Sequence, residues 1–312
     1  MRVGIVGAGI AGLACAEGLA RRGHEVVLFD KGRGPGGRMS TRRIETAQGI
    51  AHFDHGAQYF TARDADFQSQ VATWISDGVV ARWPAAGEDA HVGVPAMNAP
   101  IRRMAERHPV HWSSLVTAVV RHGDGWRLVL GGGEFHDVDL AVMAVPAEQA
   151  AALLADITPD LASHACAAVS APCWTVMLAF SQRVPVTPDC LTAKGPIGWA
   201  ARNNAKPGRT GPESWVVQAT PEWSRSHIDG TSDDVADELI DALGRESGTG
   251  LPPRIATAAH LWRFARCAEG GSGVILDGER RLGLCGDWLI GPRVESAWLS
   301  GARLAERIGA GS

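Results

Sequence analysis

Lysine and tyrosine are nearly missing from this chain. Of its 30 basic residues only Lys31, Lys194 and Lys206 are lysine, and Tyr59 is the single tyrosine among 312 residues. A site built from two facing tyrosines is therefore excluded. The arginine, alanine and glycine that fill the composition instead point to a GC-rich bacterial genome. A basic surplus is missing as well: the net charge of -4 leaves no electrostatic footprint for nucleic acid, and no such partner is expected. No apolar run approaches the ~20 residues of a membrane span, and the N-terminus enters a glycine-broken strand rather than a signal peptide. The six cysteines, Cys15, Cys166, Cys173, Cys190, Cys267 and Cys285, hold no CxxC pair and no regular framework. No metal site is expected, and a reducing cytoplasm fits best. Cys15 falls inside a helical pattern, where it serves as a small apolar residue.

A chain of this length ordinarily makes about two domains. The first opens with "VGIVGAGIAGLACAEGLARRGHEVVLFDKGRGPGGR", residues 3–38. Residues 3–6 read as a buried strand, Gly7, Gly9 and Gly12 fall at GxGxxG spacing, residues 10–22 carry apolar side chains at helical intervals, and a second strand over 25–29 ends at Asp30. Gly7 allows a tight turn, Gly9 lets the backbone approach a pyrophosphate, and Gly12 lets helix and strand pack closely. The helix start at Ile10 and Ala11 offers free amides and a positive dipole end to phosphates. Asp30, followed by Lys31, is placed to accept hydrogen bonds from ribose hydroxyls and disfavours a 2'-phosphate there. NAD and FAD both remain open on this stretch alone.

Further along, residues 62–75 and 97–107 read as helices, and 115–121, 126–130 and 140–145 as short strands separated by "GDG" and "GGG" turns. Residues 169–180 and 214–219 look like strands of a different sheet, joined through the Gly/Pro/Asn-rich stretch "ARNNAKPGRTGP". Residues 235–244 read as a helix, 281–285 as a last strand and 294–308 as a last helix. Alternating strands and helices at both ends, around a middle of β character, describe a nucleotide-binding domain interrupted by a second domain.

Two more stretches decide the nucleotide. "GPGGRMSTRR", residues 34–43, places Gly36 and Gly37 where a second backbone segment can approach phosphates, with Arg38 as counter-charge. In "LGLCGDWLIGPRVESAWLSGARLAERI" a strand ends at Gly286 and Asp287 and a helix starts near Val294, Glu295 and Ala297. Asp287 can then bond a ribityl chain or pyrophosphate, and the helix amides can face the electron-rich pyrimidine end of an isoalloxazine. The long cofactor that fits three such stretches is FAD.

With "GAGIAG", "GGR", "FDHGAQYF", "AVMAVPAEQA" and "CGDW...RVESAWLSG" in this order, the whole chain resembles the FAD-dependent amine oxidase superfamily. Its compact size, "GGRMSTRR", "FDHGAQYF" and "HLWRFA" are most similar to the bacterial renalase-like proteins. The resemblance implies an α/β fold: a Rossmann-like FAD-binding domain in the two-domain architecture of p-hydroxybenzoate hydroxylase, with an inserted α+β substrate domain. Residues 1–65, 102–155 and 274–312 are expected in the first, 66–101 and 156–273 in the second. It implies FAD on Gly7, Gly9, Ile10, Ala11, Gly12, Asp30, Lys31, Gly37, Arg38, Gly286, Asp287, Val294, Glu295 and Ala297, and, with no cysteine, histidine or tyrosine positioned for covalent attachment, the cofactor is expected to be noncovalent. The backbone at Val116 is expected on the adenine side, and Val145 and Pro146 close by. Asp30 departs from the glutamate that many such proteins carry, and either carboxylate reaches a ribose.

For the substrate, the resemblance puts Trp262, in "HLWRF", beside the flavin as a flat wall for a nicotinamide-like ring, with His227 in the same pocket. His227 is equally readable as a surface or helix-capping residue. Arg202, Asn203 and Asn204 suit an anionic or amide-bearing substrate, and a turn is the competing account. Lys194 and Lys206 sit in Gly/Pro-rich surroundings that read as loop surface. The implied reaction is hydride transfer from 2- or 6-dihydro-NAD(P) to flavin N5, with dioxygen as the second, small partner. An amine oxidase with tryptophans in place of tyrosines and a non-catalytic binding protein on the same fold are the alternatives.

Overall fold

The computed structural model describes residues 1–310 except 249, 269 and 272. Its central sheet has six strands in the order β17 (Ile275–Asp277), β18 (Leu282–Leu284), β11 (Leu140–Met143), β1 (Arg2–Val6), β2 (Glu25–Phe29), β7 (Val110–His111). All pairs are parallel except β17 with β18. Both neighbours bury β1, so Val3, Gly4, Ile5 and Val6 form an unbroken buried run, as a parallel strand requires. Both chain ends supply strands to this sheet.

Helix α1 (Ile10–Ala20) and the last helix, α8 (Val294–Ala310), cover the sheet and touch each other closely. Glycine makes that contact. A Cβ on Gly301 would sit 2.0 Å from Ala11 O, and one on Gly18 would sit 2.5 Å from the Ala305 Cβ. Helices α2 (Ala65–Ser76) and α3 (Ala99–Ala105) bury Phe67, Trp74, Ile101 and Met104 in the same core as Ile5, Leu13 and Leu28. Within residues 66–101, which the sequence groups with the substrate domain, α3 packs on α1 and α2 on α8, the helices of the nucleotide-binding half. On the other face lies an antiparallel meander, β8 (Val116–His122), β9 (Gly125–Leu130) and β10 (Phe135–Val138), with α4 (Ala147–Leu154) and α5 (Pro159–Cys166).

The second large sheet is antiparallel, in the order β13 (Cys190–Lys194), β14 (Ile197–Arg202), β15 (Glu213–Ala219), β12 (Ser170–Phe180), β16 (Arg254–Cys267). Its two faces are set by alternation along β12. Trp174, Val176, Leu178 and Phe180 pack with Val235, Leu239, Ile240 and Leu243 of helix α7 (Ser232–Ser247). The short helix α6 (Pro221–Ser226) precedes it. Met177 and Ala179 point the other way and pack with Ala51 and Phe53 of the hairpin β3 (Thr41–Thr46) and β4 (Gly49–Asp54). A further hairpin, β5 (Val80–Arg82) and β6 (His91–Gly93), lies between α2 and α3. No helix among the described residues is long and apolar enough to cross a membrane.

Lys206 is not on the surface. It is in a loop, yet its side chain is fully buried and its Nζ lies 3.1 Å from Asp54 Oδ2. The Lys194 side chain lies outside the described residues.

Gly301→Val should force α8 off α1, because the added carbon meets a backbone carbonyl that cannot rotate away. Overpacking of this kind costs roughly 1–3 kcal/mol, to be read from urea unfolding. The same variant should bind FAD more weakly in a fluorescence titration, since both helix starts are displaced together.

Candidate cofactor and substrate site

The phosphate end is built by the start of α1. Gly7 turns the chain at φ +104, where a Cβ would sit 2.5 Å from Ala144 O, and a Cβ on Gly12 would sit 2.0 Å from Gly7 O. A Cβ on Gly9 would meet nothing within 4 Å. The three glycines therefore divide as turn, open approach and close packing. The first-turn amides of Ile10, Ala11 and Gly12 have no carbonyl a turn earlier to bond. Gly37, at φ +52, brings the second glycine loop in: its Cβ position is 3.7 Å from Gly9 Cα. A dinucleotide pyrophosphate fits this cradle.

Asp30 carries an additional load. Its Oδ2 accepts from Ala8 N at 2.8 Å and its Oδ1 from Gly32 N at 2.7 Å, so the carboxylate ties the first glycine turn to the next loop. Each oxygen keeps a lone pair for a ribose hydroxyl. Lys31 beside it is exposed. Ser114 N donates to Asp30 O at 2.8 Å, which brings the Val116 backbone to the end of β2.

At the opposite end Arg38 grips Asp287 in a two-pronged ion pair of 2.9 and 2.5 Å, and its guanidinium also reaches Ala265 O on β16 at 3.4 Å. Burial pulls the Arg38 guanidinium down, and the Asp287 carboxylate more than offsets it, so its pKa rises. Gly286 N donates to Ser300 Oγ at 2.9 Å, fixing this turn to α8. The Glu295 side chain has a task of its own: Oε1 accepts from Arg63 N at 2.6 Å and Asp64 N at 2.7 Å, stapling the start of α2 to the start of α8. The first-turn amides around Val294, Glu295 and Ser296 remain the part of α8 that can face a flavin, and Ala297 N bonds Arg293 O within the helix.

Residues 55–59 lie on top of Arg38. Ala57 N donates to Arg38 O at 2.8 Å, and a Cβ on Gly56 would sit 2.0 Å from that same oxygen. The antiparallel sheet closes over them. Trp262 lies opposite Cys173, and His260 and Gln218 both lie opposite Thr175, so all five share the face that looks away from α7. Trp262 stacks on His55 at 5.2 Å and 30° and donates to His55 O at 2.8 Å. His260 stands edge-on to both rings, at 5.4 Å from His55 and 4.5 Å from Trp262. Gln218 donates to Gly56 O at 2.7 Å. Burial, followed by the neighbouring His260, pushes the His55 imidazole down to about 4. Burial, then Arg42, pushes His260 down as well. The wall is neutral at pH 7.

His227 does not join Trp262. It stacks on Trp223 at 3.8 Å, its Nδ1 meets Trp223 O at 2.8 Å, and its own carbonyl accepts from Trp174 Nε1. Trp174 points to the α7 side, so His227 caps α6 across the sheet from the wall. Arg202, Asn203 and Asn204 are also committed elsewhere. Arg202 is buried on Asp189 and Glu213, Asn203 bonds Asp54 N and His52 O, and Asn204 bonds Ser214 N. Sequence reasoning passed over His55, Gln58, Gln218 and His260, although "FDHGAQYF" and "HLWRF" contain three of them.

Residues 76–309 match the family model described as flavin containing amine oxidoreductase, and residues 5–73 match that of the NAD(P)-binding Rossmann-like domain. The chain belongs to the family of flavin containing amine oxidoreductases, and its cofactor is FAD. A stretch of 40 residues is 48% identical to the 4,4'-diapophytoene desaturase of Staphylococcus aureus, covering 13% of this chain and 8% of that protein. Among solved structures, a protein assigned as a protoporphyrinogen oxidase from Exiguobacterium sp. 255-15 aligns with a TM-score of 0.76 at 14% identity, over 100% of this chain and 99% of that one. Cyclohexylamine oxidase from Brevibacterium oxydans IH-35A aligns at 0.73 and 13% identity, over 99% and 98%. At these identities the structural likeness is one of fold.

The low pKa of His55 has a consequence for stability. As pH falls through 6.5 the unfolded chain takes up a proton that the folded chain refuses until about 4. Stability should therefore drop across that window by about 3 kcal/mol and then level off. Urea unfolding at pH 7 and at pH 4.5 should show the drop, and His55→Phe should reduce it.

Proposed function

We propose that the chain oxidises isomeric dihydronicotinamide dinucleotides, the 2- or 6-dihydro forms of NAD(P), to NAD(P)+, passing the electrons to dioxygen as hydrogen peroxide and holding its FAD noncovalently. Bound FAD supplies the hydride acceptor, N5 of its ring. The observation that carries the reading is the neutral aromatic wall adjoining the Arg38–Asp287 end of the cofactor site, Trp262 stacked on His55 with His260 edge-on to both. A planar ring can lie along it, and the work left to the protein is orientation and exclusion of water.

Nothing in that wall is a strong base. An imidazole held at about 4 is a poor acceptor for the proton of an alkylammonium. The two nearest carboxylates are committed, Asp54 to Lys206 and Arg209 and Asp287 to Arg38. A dihydronicotinamide is already hydridic and needs no proton removed. An amine threaded between two rings would need them about 7–8 Å apart, twice the usual carbon contact. The aromatic pair that faces this region, Tyr59 and Trp199, is closed to 5.3 Å.

The test is anaerobic mixing of the holoenzyme with each donor. 2- or 6-dihydro-NAD(P) should bleach the flavin within seconds, and ordinary 4-dihydro-NADH far more slowly, because the donor carbon must come within about 3–3.5 Å of N5. Trp262→Ala should slow reduction on the order of tenfold, the worth of one aromatic stack. His227→Ala should leave it unchanged. Fast bleaching by primary amines with none by either isomer would make the protein an amine oxidase. Acid precipitation should release yellow FAD into the supernatant, and colour retained in the pellet would show a covalent link.

A further inference from the structure

The Asp54 cluster holds more positive than negative charge. Lys206 and Arg209 have side chains 0% and 1% exposed, and both converge on Oδ2 of Asp54, at 3.1 and 2.6 Å. The other Asp54 oxygen is taken by neutral donors, Thr41 Oγ1 at 2.6 Å and Met97 N at 3.0 Å. Burial, and to a lesser degree Arg209, pulls the pKa of Lys206 down; what holds it as an ammonium is Asp54 at 3.1 Å, with Gln58 Oε1 at 3.2 Å and the face of Trp83 at 5.2 Å as further electron-rich partners. Arg209 otherwise donates to the carbonyls of Gly93 and Pro207. Among the described residues no second carboxylate pairs with either cation. Two buried cations on one carboxylate is a costly arrangement if stability alone is at stake, since each buried ion gives up its hydration.

The cluster is one side chain away from the floor of the site. Gln58 accepts from Lys206 and donates to Gly56 O at 3.2 Å, and Gly56 rests on the carbonyl of Arg38. We propose that the net positive charge of Asp54, Lys206 and Arg209 raises the reduction potential of the bound flavin. Reduction by two electrons and one proton leaves the ring with one more negative charge. A fixed positive charge in a buried, weakly screened position stabilises that product over the oxidised form.

The measurement is the anaerobic equilibrium between holoenzyme and a two-electron reference dye, which involves no substrate and so stands or falls apart from the dihydronicotinamide reading. Lys206→Met and Lys206→Gln remove one positive charge, the second keeping a donor for Asp54. Both should make the flavin harder to reduce, shifting the dye equilibrium about tenfold, or about 30 mV for a two-electron couple. Asp54→Asn adds to the excess and should shift it the opposite way. FAD-loaded variants with an unchanged equilibrium, or all three variants shifting in one direction, would overturn the proposal. So would loss of FAD from both Lys206 variants, which would make Lys206 a structural tie.

Discussion

Arg38 is the point at which three distant parts of the chain become one site. Its guanidinium holds Asp287 at the end of the last parallel strand and reaches Ala265 on the edge strand of the second sheet, while its carbonyl carries Ala57. An ion pair sealed from water on the Asp287 side and one-third open on the Arg38 side gains little net stability by itself. What it gives is register. The two-pronged geometry allows one relative placement of the glycine loop and the β18–α8 turn, and the close contact of α1 with α8 at Gly301 allows one relative placement of the helix starts. The phosphate cradle and the flavin end are then at a set distance from each other before any cofactor arrives.

The nucleotide half was legible because its signals are local. Gly7, Gly9, Gly12 and Asp30 lie within one strand-helix-strand unit whose spacing dictates its own geometry, and the expected helices and strands there agree with α1, β2, β11 and α8 to within a few residues. The substrate half was read poorly because its determinants are not local. Strand β16, "RIATAAHLWRFARC", shows no alternation of apolar and polar residues, since it is half-buried on both faces. The β3–β4 hairpin carries adjacent arginines, Arg42 and Arg43, that break an apolar strand pattern, and it is held by packing of Ala51 and Phe53 against the second sheet rather than specified by its own sequence. The additional use of the Asp30 and Glu295 carboxylates, accepting from the Ala8 and Gly32 amides and from the Arg63 and Asp64 amides, is written in no motif.

His227 and Lys206 were misplaced for opposite reasons. His227 belongs to a stretch that does border the second sheet, but the side of a sheet on which a residue falls is set by strand parity and helix packing, which no motif encodes. Lys206 sits among Gly and Pro, and turn residues ordinarily lie at the surface. Here the turn is carried inward because Asn203 fastens to His52 and Asp54, so that the chain leaving β14 has to pass beneath the hairpin. A lysine in that position either finds a carboxylate or is not tolerated, and Asp54 is the carboxylate.

The placement of charge separates the two halves of the chemistry. Both carboxylates near the wall are paired with cations, and the two imidazoles beside them are pushed toward the neutral form chiefly by burial. A site arranged in this way has surrendered the means to pull a proton from a reluctant donor. What it retains is a rigid edge-on and stacked aromatic surface, held by Trp262 on the His55 carbonyl and by Gln218 on the Gly56 carbonyl. Because those two hydrogen bonds come from the sheet and end on the segment that rests on Arg38, any displacement of the wall moves the cofactor floor with it. On the proposed dihydronicotinamide reading, selectivity among donors comes from which carbon of a flat ring the wall presents, rather than from the strength of any acid or base.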